Sequence, residues 1–505
     1  MSTGPQRLGE RSLSAVFWGA GGTVVRLLLQ VGAQVFLARL LGPEQYGIFA
    51  IGATVVSFSA CLSDIGLAYG LIQKADVSAR DVRFVFTWQV ILGLLVTLGV
   101  WSGAGGIAAF FGELRARPVL EMLSVLCLLN ALTAPSLNLL KRGLDFKRIQ
   151  LSQIVSYVAG YIVVGIPMAL AGWQVWALVT AWVVQAALNL LLLYVGTGHA
   201  LRPLLWYEQA RAQTGYGGAV LVTNLINWVI GNVDRVIVAR SFGSHDVGLY
   251  ATTYNLLYNP TAAALGVVQP VFFSASSRLG DDAGRVESGY LTLVGFVAAI
   301  VLPAFAIVAV MAEPLILLLY GPRWADAAQL CRPIALAMPC FMLFGLTTPM
   351  LWTAGRPASE FQIQLPLALV WLTLCLLAAT VSVQAVAWCV LALALVRCAL
   401  VMATAVRLRG MAWRPLWQGV RGGLGMGAVV VAAIAVVDQA LQHLLVGPAL
   451  RLLVAAVLAP LAWLLLAWCW PGLLSAALKQ LLVRLGDRLP PRLRILFDFL
   501  RPHEG

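Results

Sequence analysis

Charge is what this chain has least of. Only 11% of its 505 residues are charged and 61% are hydrophobic, whereas a water-soluble domain carries about 25% charged and about 45–50% apolar residues. A soluble enzyme or nucleic-acid binder of this size has no means of hiding so much apolar surface, so those classes are excluded despite the net charge of +13. Lysine is scarce, with only Lys74, Lys141, Lys147 and Lys479 among 34 basic residues. None follows a glycine, so a Gly-Lys-Ser/Thr phosphate loop is missing, which argues against an ATP-driven pump encoded in this chain. The four histidines (His199, His245, His443, His503) are isolated and the eight cysteines lie in apolar stretches. We therefore expect no cofactor, no metal site and no disulfide.

What is present is a succession of apolar runs, each long enough to cross a bilayer as a helix of about 20 residues. Fourteen spans are predicted, at 13–39, 46–69, 83–102, 119–139, 150–171, 174–196, 216–240, 248–273, 289–312, 328–352, 360–381, 384–406, 422–441 and 450–473. With the N-terminus inside, 24 of the 34 Arg and Lys residues fall on the cytoplasmic side, six on the other and four within spans. That bias places both termini in the cytoplasm of a multi-pass inner (plasma) membrane protein. The tail 475–505 alternates apolar and basic residues and reads as an amphipathic segment on the membrane surface. No loop is long enough to fold alone, so an enzyme is not expected.

Residues 38–50 (ARLLGPEQYGIFA) and 239–251 (ARSFGSHDVGLYA) repeat at a constant offset of 201. Six helices separate the copies, so both cross in the same direction, a parallel repeat of the kind found in transporters. The predicted fold is an all-α integral membrane protein with two six-helix lobes around a central cavity. These are an N-lobe over 1–205, a C-lobe over 206–412, and an appended helix pair over 413–474.

Polar groups within spans are costly and mark polar cavities. Thr23, Arg26, Gln30 and Gln34 fall within roughly 80° of one another on the first helix. Asn224, Asn227, Gly231 and Asp234 form a similar stripe on the seventh, and Arg26 corresponds to Asn227 through the repeat. Arg26 lies about 20 Å inward from the outer interface. Asp64, eighteen residues after Tyr46 on the returning helix, reaches about 27 Å by the same helical rise, so an Arg26–Asp64 contact is geometrically possible. Tyr254 and Tyr258, spaced by four residues, offer flat apolar faces with hydroxyls, suited to a sugar. Tyr250 fits an interfacial aromatic belt equally well. The candidate substrate-binding residues are thus Arg26, Gln30, Asn224, Asn227, Tyr254, Tyr258 and Arg397, with Asp64 and Asp234 as candidate ion-coupling groups.

Six motifs in order carry a resemblance: LARLLGPEQYG (37–47), LSDIGLAYGLIQ (62–73), KRGLDF (141–146), NVDRVIVARSFG (232–243), GLYATTYNL (248–256) and YGPRW (320–324). Over about residues 10–410 the chain resembles Wzx-type oligosaccharide flippases of the exopolysaccharide branch, typified by colanic acid and xanthan export. That family shares a superfamily with the lipid II flippase and the multidrug antiporters. The resemblance implies a two-lobed fold with a cationic cavity and alternating access. It also implies transfer of an undecaprenyl-diphosphate-linked oligosaccharide repeat unit to the periplasmic leaflet, with H+ or Na+ as coupling ion. Polymerase or export machinery and membrane lipids are the further partners it suggests. The motif residues themselves are mainly structural turns. The main rival is a multidrug or cation antiporter of the same superfamily; a membrane polymerase or ligase ranks well behind, lacking a sizeable outer loop with acid/base groups.

Overall fold

The computed structural model describes residues 5–63, 71, 76–208, 217–278, 283–353 and 358–470, with 472, 479 and 483. Asp64 and nearly all of the tail 475–505 lie outside the described residues. Among the described residues the chain is helical, with no strand.

The helices in chain order are α1 Pro5–Ser63, α2 Ala79–Phe111, α3 Ala116–Arg142, α4 Phe146–Leu170, α5 Val175–Thr197, α6 Gly217–Ser241 and α7 Ser244–Arg278. They continue with α8 Gly284–Val310, α9 Ala312–Tyr320, α10 Ala327–Thr353, α11 Ala358–Ala379, α12 Val383–Leu408, α13 Trp413–His443 and α14 Pro448–Cys469. Twelve of the described helices are long and apolar enough to cross a membrane. The first of them, Trp18–Leu62, has the length of two crossings at 45 residues. It bends at Gly42, whose φ of 77° is left-handed, and Pro43 starts the second arm. The two predicted spans are thus two helical arms that meet at the non-helical Gly42. The 25-residue α6 coincides with the predicted span 216–240. With α6 included and the first helix taken as two crossings, the fourteen-span membrane fold follows.

The chain forms two compact units. One comprises Met1–Thr252 with Cys375–Val383, and the other Thr253–Leu374 with Gln384–Gly505. In the first unit, α2 packs on α3, α5 packs on α3 and α4, and α1 is flanked by α4 and α6. A capping box starts α2: Ser78 Oγ accepts from the Asp81 amide (3.2 Å) and Asp81 Oδ2 accepts from the Ser78 amide (2.7 Å). Gly112, with φ 70°, ends it.

In the second unit α10 is the central helix, with 78% of its most apolar window buried. Lipid tails are as apolar as leucine, so what holds α10 in place is van der Waals packing more than solvent exclusion. The pair α13 and α14 packs on α8 and α9. A buried bidentate ion pair, Arg451 to Asp438 at 2.7 and 2.8 Å, ties their adjoining ends.

The two copies of the repeat meet inside the first unit. A Cβ on Gly47 would lie 1.7 Å from the Ser244 carbonyl oxygen, and a Cβ on Gly248 would lie 1.8 Å from that of Pro43. Pro43 and Ser244 are themselves partners at offset 201, so the two contacts are mirror statements of one another. Reciprocity of this kind is what a local two-fold axis produces, and only glycine permits backbones so close.

Candidate functional site

The polar stripe of α1 is held against α4. Arg26 donates through Nη1 to Gln153 Oε1, and one turn away Gln150 Nε2 donates to Thr23 Oγ1 at 3.4 Å. Gly22 makes room for this approach, since a Cβ there would meet the Gln150 side chain at 2.6 Å. Among the described residues, the side-chain partner of Arg26 is a neutral amide and not a carboxylate. A guanidinium left uncompensated at mid-helix is costly unless an anion or water reaches it. Arg26 and Gln30 are half-buried. Gln34 Nε2 donates to the Thr252 carbonyl at 3.3 Å, and the Tyr46 hydroxyl donates to the Gln34 carbonyl at 3.3 Å.

On α6, Asn224 is half-buried and Asn227 is exposed on the helix face. Trp228 Nε1 donates to Ser57 Oγ at 2.8 Å, fixing α6 to the second arm of α1. Asp234 is buried and accepts a 2.6 Å hydrogen bond from the Tyr250 hydroxyl. Tyr250 is 1% exposed, so this buried bond, and not an interfacial belt, accounts for it.

The second unit has its own polar cluster around Arg397 of α12. Arg397 Nη2 donates to Gln364 Oε1 at 2.7 Å, and Gln364 Nε2 donates to Glu360 Oε1 at 2.6 Å. Trp352 Nε1 holds the other Glu360 oxygen at 2.8 Å. The guanidinium carbon of Arg397 lies 3.7 Å from the centroid of the Phe344 ring, a cation–π contact. Glu360, Tyr254 and Tyr258 are its electrostatic neighbours. The Tyr254 and Tyr258 rings lie 5.4 Å apart and tilted, with Phe341 edge-on to Tyr258. Arg397 Nε is buried and makes no hydrogen bond among the described residues. Three of the sequence-predicted residues, Arg397, Tyr254 and Tyr258, are thereby brought into one cluster.

Sequence reasoning passed over Gln153 and Gln150 beside Arg26, and Glu360, Gln364, Trp352 and Phe344 beside Arg397. A signal existed for some of them: Glu360 and Gln364 are polar at i,i+4 near the start of a mostly apolar helix, and Gln150 and Gln153 are polar at i,i+3 on the predicted span 150–171.

At the repeat turns, Arg115 of the α2–α3 connection ties both corners. It reaches Glu44 at 2.7 Å, Glu113 at 2.8 Å and Ser244 Oγ at 3.1 Å. The Arg115 guanidinium holds the Glu113 carboxyl below the usual carboxylate range, against an upward push from partial burial.

Comparison with known proteins agrees with this architecture. The succinoglycan biosynthesis transport protein ExoT of Rhizobium meliloti (strain 1021) is 25% identical over 325 residues, 64% of this chain and 66% of ExoT. The lipopolysaccharide biosynthesis protein WzxC of Escherichia coli (strain K12) is 23% identical over 324 residues, 63% of this chain and 65% of WzxC. The matches thus span just under two thirds of the length of these two relatives. The lipid II flippase MurJ, in an inward closed conformation, superposes with a TM-score of 0.73 at 11% identity, over 90% of this chain and 99% of MurJ. An inward-facing multidrug resistance MATE family transporter of the MOP superfamily gives a TM-score of 0.59 at 14% identity, over 77% of this chain and 96% of its own. Both share the all-helical transporter fold. The family model described as polysaccharide biosynthesis protein matches residues 36–329, more than half of the sequence, and the chain belongs to that family.

Proposed function

We propose that this protein transfers oligosaccharide repeat units, carried on undecaprenyl diphosphate, from the cytoplasmic to the periplasmic leaflet of the inner membrane for exopolysaccharide synthesis. The observation that carries the reading is the setting of Arg26: a cation at mid-helix in an apolar span, oriented by the neutral Gln153, with Thr23 and Gln150 one turn away. A guanidinium presents paired N–H donors that match phosphate oxygens by charge-assisted bonds. Gln30, Asn224 and Asn227 add neutral groups able to replace water around a polar cargo.

The aromatic cluster of the second unit suits the sugar end. Tyr254 and Tyr258 supply flat faces and hydroxyls, and the unengaged Arg397 Nε supplies a donor for a sugar hydroxyl. The names of the relatives point to polysaccharide and glycolipid pathways, and the MurJ-like fold is one on which a lipid-linked cargo is handled. Both termini lie in the cytoplasm in this reading. The lobes 1–205 and 206–412 alternate access, and H+ or Na+ couples through Asp234 or Asp64.

The test is reconstitution in liposomes loaded with lipid-linked repeat units, scoring their transfer between leaflets. Transfer that requires the diphosphate and the sugar supports the reading. Movement of a cationic dye without any movement of lipid-linked sugar overturns it in favour of a MATE-like antiporter, the alternative that the shared fold suggests.

A further inference from the structure

A second polar feature of the first unit lies away from the Arg26 stripe. Between the first turns of α4 and the last turns of α5 is a cavity of about 470 Å³, within the ~300–1,000 Å³ range of ligand pockets. Its lining is segregated along the helix. Asp145, Lys147 and Arg148 form the mouth, and Leu151, Val155 and Leu192, interrupted only by Ser152, form the walls beyond it. The residues of α4 recur at 148, 151 and 155, one face of a helix.

The cations are held in place by different means. Arg148 Nη1 donates to the Gly196 carbonyl of α5 at 2.6 Å, and its stem lies over Gly196, where a Cβ would meet Arg148 Cδ at 2.6 Å. Its Nε also lies 3.7 Å from Asp145. Lys147 is exposed, with its ammonium 5.2 Å above the Trp18 ring of α1. An ammonium over an indole at a span's end is an arrangement suited to the headgroup level of a bilayer. Below the mouth, Leu151 is 42% and Val155 49% exposed, which makes an apolar track open at the helix surface.

We propose that this hollow is a seat for one anionic phospholipid, its phosphodiester at Lys147 and Arg148 and an acyl chain along Leu151, Val155 and Leu192. A cationic mouth over an apolar track between two spanning helices is the chemistry that recognises a lipid headgroup. The lining decides which one. With Asp145 beside two cations, the mouth carries one net positive charge, matching the single charge of a phosphodiester and undermatching a diphosphate. The end of α4 concerned is the one that the Arg/Lys bias assigns to the cytoplasmic leaflet. The seat is independent of the transport reading, since none of its residues belongs to the Arg26 or Arg397 clusters.

The test uses the full chain, purified and delipidated in a neutral detergent, offered phosphatidylglycerol, phosphatidylcholine or undecaprenyl diphosphate, with bound lipid counted by native mass spectrometry. The wild type retains phosphatidylglycerol over phosphatidylcholine. Lys147→Gln weakens that retention about fivefold and the Lys147→Gln/Arg148→Gln pair about 25-fold, at about one headgroup contact for each cation. Val155→Asn weakens it through the track with the charges intact. Arg148 also braces α5, so the exposed Lys147→Gln is the deciding variant, with thermal unfolding as the check on folding. Equal phosphatidylglycerol retention by wild type and Lys147→Gln overturns the proposal. So does retention of phosphatidylcholine as strong as that of phosphatidylglycerol, or undecaprenyl diphosphate held more tightly and lost in the same variant.

Discussion

Arg26 and Arg397 are both arginines set in apolar helices, one in each compact unit, and their surroundings differ in kind. Arg397 is enclosed by a chain of partners: Gln364, then Glu360, then Trp352, with Phe344 beneath the guanidinium. Its charge is answered within the protein by a carboxylate two bonds along that chain. Arg26 has, among the described residues, the neutral Gln153. Among the described residues, then, Arg397 has a carboxylate within its hydrogen-bonded chain, whereas the side-chain partner of Arg26 is an amide. In the proposed reading the two clusters therefore differ in role, Arg26 meeting an anion and the Arg397 cluster offering ring faces and hydroxyls.

The largest effect that would break this comparison is expected at Arg26. If Arg26 meets the diphosphate as proposed, Arg26→Ala removes at least two charge-assisted bonds, each worth about 1.5–3 kcal/mol, and transfer in liposomes should fall roughly 100-fold or more. Membrane abundance should stay normal. Arg26→Lys keeps the charge without the planar fork and should give an intermediate loss. If Arg26→Ala transfers normally, the residue has no part in the mechanism.

Next in size is the meeting of the repeat turns. Gly47→Ala inserts a methyl 1.7 Å from the Ser244 carbonyl, so the turns must separate. Overpacking of this sort costs about 1–3 kcal/mol, and a lowered melting temperature together with reduced transfer is the expected readout. An alanine variant with wild-type melting would show that the turns are not pressed together in the resting protein.

Arg397→Ala should act the other way round from Arg26→Ala. It strips Gln364 of a partner and leaves Glu360 without its cation, so thermal stability should fall by about 1–3 kcal/mol. Adding Glu360→Gln should recover part of that loss by removing the stranded carboxylate. Transfer per folded molecule should fall far less than for Arg26→Ala; an equal fall would erase the distinction between the two sites.

The smallest effect concerns the Arg115 strap. The folded-state pKa of Glu113 is lowered, so its contribution is fully present above the unfolded carboxylate value and is lost as pH falls through the lowered folded one. Arg115 is 56% exposed although the Glu113 side chain is only 13% exposed, so solvent screening from the arginine side keeps the stake to about 1 kcal/mol. Melting of the wild type should decline slightly more than that of Arg115→Ala on acidification. Parallel curves would show that the strap is electrostatically idle.

Much of this fold is legible in the sequence because the physics of spanning a bilayer leaves a coarse signature: long apolar runs bounded by basic residues. The repeat is legible for a different reason. Gly47 and Gly248 have no room for a side chain because each faces the other turn's carbonyl, of Ser244 and of Pro43, and the five identities at offset 201 surround that contact. What spacing cannot supply is the partner across a helix interface. Gln153 lies 127 residues from Arg26, and only the register of α4 against α1 brings the two together. The polar stripe of α1 is thus readable as a face and Gln150 and Gln153 as polar positions, but not the fact that they face one another. The stripe of α6 shows the converse: Asp234 belongs to it by spacing, yet its bond is to Tyr250 on the next helix.

The most direct test of the central assignment is binding of undecaprenyl diphosphate, without sugar, to the purified wild type, Arg26→Ala and Arg397→Ala in detergent. The account predicts that Arg26→Ala loses the diphosphate and that folded Arg397→Ala retains it. Retention by Arg26→Ala at wild-type affinity, or its loss in Arg397→Ala alone, would contradict the account.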